Sequence, residues 1–313
     1  MNKIIRFWNQ NRKTIVTIMV AIAFLLIIIQ VLNQFAKNNS EKSSEKTKEI
    51  VEGLPTKSII GGQDISVETT KNNVEEIETF IKKCNSGDIE GAYNMLTDDC
   101  KSVLFASQLE NFKKGYYDII FSSKRTGDIE NFTSNSNRYT YRVKFYEDML
   151  ASGSTQNKES YQDYITIDEN MSEGKLSINS LVYTKEINKE SELNGIKVIV
   201  LSQQVYKDYE KYEIKFENAT NNRILIDTKK QAKTTYLLGD NGITYNSNIS
   251  EISSTLCEIP ANFYRTYTIR FNKTYSSGVN TKGIAFSDII PDYETYRQNT
   301  KEYKQRLKIS VSI

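Results

Sequence analysis

Cys84-Asn-Ser-Gly-Asp88-Ile-Glu-Gly-Ala-Tyr-Asn-Met-Leu-Thr97 is the stretch whose reading decides the fold. Upstream of it Val74, Ile77, Phe80 and Ile81 recur at the spacing of one helix face. Asn85-Ser86-Gly87 breaks that pattern, and Asp88 stands where an N-cap opens a second helix. A third helical stretch is expected over Leu109 to Phe121. Beyond it the period changes to two: Tyr139, Tyr141, Val143 and Phe145 alternate with polar residues. Tyr164, Ile165 and Ile167, then Leu176, Ile178 and Leu181, follow the same rule less strictly. Helices first and strands afterwards predict an α+β domain over residues 72–190, with helices on one face of an antiparallel sheet.

Residues 194–313 read differently. Short alternating segments recur there: Val198 to Val205, Tyr212 to Phe216, Arg223 to Ile226, Thr235 to Leu238, Thr244 to Tyr245, Phe263 to Phe271, Ile284 to Phe286 and Leu307 to Val311. This is the spacing of an all-β, immunoglobulin-like sandwich. Asp240-Asn241-Gly242 is its clearest turn, because Asn-Gly supplies the positive φ angles of a tight hairpin.

The run Cys84 to Thr97, with its small-acidic turn followed by Ala-Tyr and a Leu, resembles the opening of the nuclear transport factor 2-like fold. In that family a curved sheet and its helices form a cone, an enzyme pocket in some members and a packing scaffold in others. Membrane-anchored members include subunits of bacterial conjugation channels and N-terminal domains of some cell-wall transpeptidases. Tyr212-Glu-Ile-Lys-Phe-Glu-Asn-Ala-Thr220, Asp240-Asn-Gly242 and Ile259-Pro260 leading into Tyr267-Thr-Ile-Arg-Phe271 are similar to the telokin-like immunoglobulin domains of Gram-positive cell-surface proteins. Those domains mostly bind or space other parts. The abundance of Lys, Asn, Ile and Tyr also resembles chains from AT-rich Gram-positive bacteria.

Toward the N-terminus, no charge occurs between Lys13 and Lys37, and Thr14 to Ala36 is dominated by Ile, Val, Leu, Ala and Phe. A bilayer core needs about 20 such residues as a helix. Residues 14–36 are therefore expected to form one transmembrane helix. A cleaved signal peptide would carry a shorter apolar run ending at small residues, whereas Gln30, Asn33, Gln34 and Phe35 end this one. Lys3, Arg6, Arg12 and Lys13 precede it without an acid, which predicts a cytoplasmic tail over 1–13 and everything beyond the helix outside. Trp8 is available as an interfacial anchor. Residues 37–71, rich in Lys, Glu, Ser, Thr and Asn, read as a solvated linker. Within it Ile59-Ile60 forms a short apolar island that could pair as a strand with a later domain, although plain linker is the favoured reading on composition.

Chemistry is limited by what is missing. The 313 residues contain no His, which removes the commonest general base and the Ser-His and Cys-His nucleophile pairs. Four of the 41 basic residues lie in the tail, leaving 37 against 39 acids, so a basic nucleic-acid face has no support. Cys84, Cys100 and Cys257 lack C-x-x-C spacing. An extracytoplasmic location would permit a Cys84–Cys100 disulfide, while buried thiols acting as small apolar residues are the favoured alternative. Asp98-Asp99 with Glu110 lacks the interleaved spacing of a calcium loop and reads as a helix start. Glu147-Asp148 with Asp163 is the one carboxylate set to weigh for glycoside hydrolysis. Tyr116-Tyr117 and Tyr206, Tyr209 and Tyr212 either line a groove or pack half-buried faces. Gly61-Gly62 lacks the Lys of a phosphate loop.

No catalytic, cofactor-binding or metal residue is assigned, and no cofactor is expected. The reading is a non-enzymatic, single-pass envelope scaffold or assembly protein, conjugation-channel or cell-wall related. Its expected partners are the membrane and other envelope proteins. The alternatives are a ligand- or glycan-binding module using the cone of the first domain, and a carboxylate-dependent enzyme.

Overall fold

A computed structural model describes residues 54–147, 159–231 and 233–313. The expected transmembrane helix 14–36, the tail 1–13, the first part of the linker and Asp148 lie outside the described residues. Among the described residues no helix is long and apolar enough to cross a membrane. The architecture is mixed α+β, built almost entirely from antiparallel sheets with few helices.

Helix α1 (Val67–Ser86) opens where the Ser66 hydroxyl accepts the Thr69 N–H at 3.0 Å, and it closes on Gly87 at φ 77°. Its Ile77, Phe80, Ile81 and Cys84 are buried, the face that the helical spacing marks. α2 (Ile89–Asn94) is capped by Asp88, which accepts the Gly91 N–H at 2.9 Å. α3 (Asp98–Phe105) starts on Thr97, with Asp98 and Asp99 in its first turn as the helix dipole favours. α4 (Leu109–Phe112) runs through a π-helical turn (Lys113–Tyr117) into α5 (Asp118–Ile120). Phe112, Tyr116 and Ile120 are all buried at four-residue spacing. An α-helix turns about 40° too far at each such step, and the wider π turn restores the three side chains to one face.

The helices pack on a sheet of β1 (Arg125–Asn135), β2 (Arg138–Glu147), β3 (Glu159–Asp168) and β4 (Leu176–Ser177), antiparallel in that order. Tyr141, Val143 and Phe145 of β2 point into the core, while Arg142 and Lys144 between them pair with Glu130 on the other face. The free edge of β1 is covered from an unexpected side. Ile59 and Ile60 donate their N–H groups to the carbonyls of Asn131 and Phe132 at 3.0 and 3.1 Å, and Gly62 bridges Ser134 in parallel. Ile59-Ile60 thus pairs with a later strand.

The remaining elements are β5 (Leu181–Leu193), β6 (Ile196–Tyr206), β7 (Glu210–Asn218), β8 (Ile224–Leu225), β9 (Thr235–Gly239), β10 (Thr244–Asn246), β11 (Glu258–Ile259), β12 (Phe263–Phe271), β13 (Thr281–Ile289), α6 (Tyr293–Gln298) and β14 (Leu307–Ser312). One sheet has the order β12-β7-β6-β5 and another β10-β9-β13-β14, with β8 and β11 paired separately. Apolar residues of both sheets close on one core, where Phe216 of β7 meets Phe286 of β13 edge-on at 4.9 Å. β5 and β6 serve two cores. Leu181 and Tyr206 belong to the core beneath the helices, whereas Ile196, Val198 and Val200 belong to the core between the sheets.

Candidate binding cleft

Three of the acids singled out in the sequence, Asp98, Glu110 and Glu147, each have a local partner. Asp98 accepts from Lys101 at 3.2 Å, Glu110 pairs with Lys114 at 3.1 Å and Glu147 with Arg125 at 3.4 Å. Among the described residues no three His, Cys, Asp or Glu side chains converge to hold a metal. Asp163 lies apart from Glu147: it sits in the inward register of β3, opposite Val143. Its carboxylate accepts from the Tyr116 hydroxyl at 2.9 Å, the Tyr164 N–H at 2.7 Å and the Asn179 N–H at 3.1 Å. Burial raises its pKa, an effect these donors and the Ser180 N–H partly offset. The same burial, reinforced by the neighbouring carboxylate, pushes the Tyr116 phenol well above its ordinary value, so Tyr116 stays a donor. Asp163 therefore ties β3 to the π turn.

Around this pair the interior beneath the helices is filled. Phe112 and Tyr116 stack at 5.8 Å, Phe105 meets Phe112 edge-on at 5.4 Å, and Phe121 meets Phe145 at 5.5 Å. All three cysteines are free and buried, Cys84 and Cys100 within that interior. Burial raises the pKa of both thiols to about 12, which keeps them protonated and unreactive. Tyr206 and Tyr209 stack at 4.6 Å against Lys211 and Arg270, whereas Tyr212 is fully buried.

Tyr212 leads to the most elaborate polar arrangement. Alternation along β7 turns Glu210, Tyr212, Ile214 and Phe216 inward together, and along β12 it turns Tyr267, Ile269 and Phe271 inward with Lys273 two residues on. Glu210 and Lys273 are 2% and 5% exposed, and their charged ends meet at 2.5 Å. The other oxygen of Glu210 accepts the Tyr212 hydroxyl at 2.7 Å and the Thr281 hydroxyl at 3.2 Å. Gln203 donates to the Tyr212 oxygen at 2.9 Å. Burial and the charge of Glu210 hold the Tyr212 phenol well above its ordinary pKa. A buried ion pair is tolerated only with such additional hydrogen bonds.

This network forms the floor of a cavity of about 320 Å³. Half-buried Tyr183 and Tyr275 make one wall, their rings 6.4 Å apart, with the Arg138 guanidinium 4.5 Å from the Tyr183 centroid. The Tyr275 hydroxyl donates to the Asn135 carbonyl at 3.2 Å, so the end of β1 closes the cleft. Lys185 and Asn280 stand exposed at its rim. Of these residues only Tyr212 stood out in the sequence. The missed signal was a charge in phase with an apolar strand face, which Glu210 and Lys273 both display.

No protein-family model matches the sequence, and no curated protein is similar to it. Two solved structures show partial similarity. One is a functionally unknown protein from Listeria monocytogenes EGD-e, at 10% identity over 42% of this chain and 85% of that one, with a TM-score of 0.30. The other is a conserved hypothetical protein from Bacillus anthracis, at 13% identity over 40% and 95%, with a TM-score of 0.25. At these scores neither assigns a fold or a function to the chain.

Proposed function

We propose that this chain is a non-enzymatic, membrane-anchored extracytoplasmic scaffold or assembly protein of a cell envelope, in a conjugation channel or a cell-wall machine. The observation that carries the reading is the charge-free run Thr14 to Ala36 behind a purely basic tail, long enough for one span with the N-terminus inside. We assign the helix-covered sheet to the nuclear transport factor 2-like class and the paired sheets to the telokin-like immunoglobulin class. Helices on one face of β1 to β4, and two sheets sharing one core, support those assignments. The aromatic filling beneath the helices speaks for a packing scaffold there. Asp163, the acid best placed for chemistry, is instead consumed in holding β3 to the π turn.

Fractionation tests the anchor. The intact chain is expected in the membrane pellet after alkaline wash, and protease added to whole cells should digest everything beyond residue 36. Recovery of full-length chain in cytosol would overturn the reading. Pull-down from gently solubilised membranes should recover specific envelope proteins, and repeated failure to enrich any would remove the scaffold role.

A further inference from the structure

We propose that the cleft over Glu210 and Lys273 binds a neutral polyhydroxylated ligand, a saccharide unit. The Lys273 ammonium carries three N–H donors, and among the described residues it has one acceptor, Glu210. It lines the cavity at 5% exposure, and among the described residues two donors of this buried cation have no protein acceptor. A buried donor without a partner is unfavourable, and a ligand oxygen placed there would satisfy it.

The charges of the floor select among ligands. Glu210 already neutralises Lys273, so an anion would bring its charge beside a carboxylate, and a cation would approach an ammonium with exposed Lys185 at the rim. An apolar ligand would leave the same groups dry and unpaired. What fits is a neutral molecule that accepts from Lys273 and also donates to Glu210 and to the amide oxygens of Asn280 and Asn135. Hydroxyl groups do both. Tyr183 and Tyr275 add a wall of aromatic surface against which the C–H face of a sugar ring packs. About 320 Å³ suits one or two sugar rings and lies at the small end of the range for ligand sites. This inference is independent of the membrane anchor, since every residue in it belongs to the described fold.

The test uses the full chain in a detergent without a sugar headgroup. Glucose, galactose, mannose and N-acetylglucosamine are offered in turn, with inorganic phosphate and triglycine as controls, and binding is read by saturation-transfer-difference NMR. At least one sugar is expected to receive saturation through its ring protons, and Lys273→Met should weaken its binding about tenfold or more. Because that variant strands Glu210, a second one, Asn280→Trp, plugs the cleft from its exposed rim without touching the buried pair and should abolish the signal. Binding unchanged by the plug, no transfer to any of the four sugars, or a response only to phosphate or triglycine would each overturn the proposal. Fractionation decides the anchor separately, so the two failures are distinguishable.

Discussion

Asp163, Glu210 and Lys273 break one rule in the same way: Asp163 and Glu210 sit on the inward side of a strand and Lys273 keeps the inward phase of β12 two residues past its end, each buried near apolar neighbours. For Glu210 and Lys273 the consequence is mutual dependence. Glu210→Gln leaves a buried ammonium beside a neutral amide, and losing one partner of such a pair costs about 3–5 kcal/mol. Urea unfolding should show that loss, and a variant as stable as the parent would mean the pair is solvated. For Asp163 the prediction concerns pH. Its folded pKa lies above the ordinary carboxylate value of 3.8, so between the two values the native state binds more protons than the unfolded chain. Stability contributed by this group therefore falls as pH rises through that interval and is level above it. Other acids, such as Asp88, are shifted the opposite way, so the measurement is the difference between parent and Asp163→Asn. The difference curve should fall as pH rises above the unfolded carboxylate value and then level off, and a curve flat from pH 3 upward would refute the assignment.

At the scale of elements, the clip formed by residues 59–62 is the sharpest case. Gly62 has φ 122°, and a Cβ built there would lie 2.7 Å from the Ser134 carbonyl oxygen. Gly62→Ala should detach the clip at about 1–3 kcal/mol of backbone strain. Hydrogen exchange would then show the Ile59 and Ile60 amides losing protection while Phe80 and Phe145 keep theirs. Much of the element order was legible beforehand. Helical spacing around Ile77, the Asp88 cap, the strict alternation from Tyr139 to Phe145 and the Asn241-Gly242 turn all fall where expected. β1 was not legible, because Ile129 and Phe132 are its only large apolar residues and its buried Asn131, Thr133 and Ser134 are explained by the covering clip. α6 escaped for a related reason. Tyr296 is its one buried residue, and one anchor makes no period. The cleft was hidden more deeply, since Glu210, Lys273 and Tyr183 lie far apart in sequence and only strand pairing brings them together.

For the whole described body the decisive feature is the β5–β6 ribbon. β5 has 13 residues, about 43 Å of extended chain. Because Leu181 and Tyr206 pack in one core and Ile196 to Val200 in the other, neither core can melt without disturbing a strand the other needs. The buried cysteines report on both, Cys84 and Cys100 from beneath the helices and Cys257 from between the sheets. In native buffer near pH 8 none should react with iodoacetamide. Mass spectrometry across a urea series should show all three becoming reactive at one midpoint. Ile214→Ala, at about 2–5 kcal/mol, should lower that midpoint for Cys84 and Cys257 alike. Two separate midpoints would show that the cores are independent.

The clip also sets how the body answers to pulling. A force applied through the chain's N-terminal end arrives at Ile59 before it reaches α1, and there it meets hydrogen bonds to Asn131 and Phe132 made by a segment running alongside β1. Tension directed along that segment shears those bonds together instead of peeling them one at a time. Load entering along the chain from that side therefore falls on this short seam before it reaches α1.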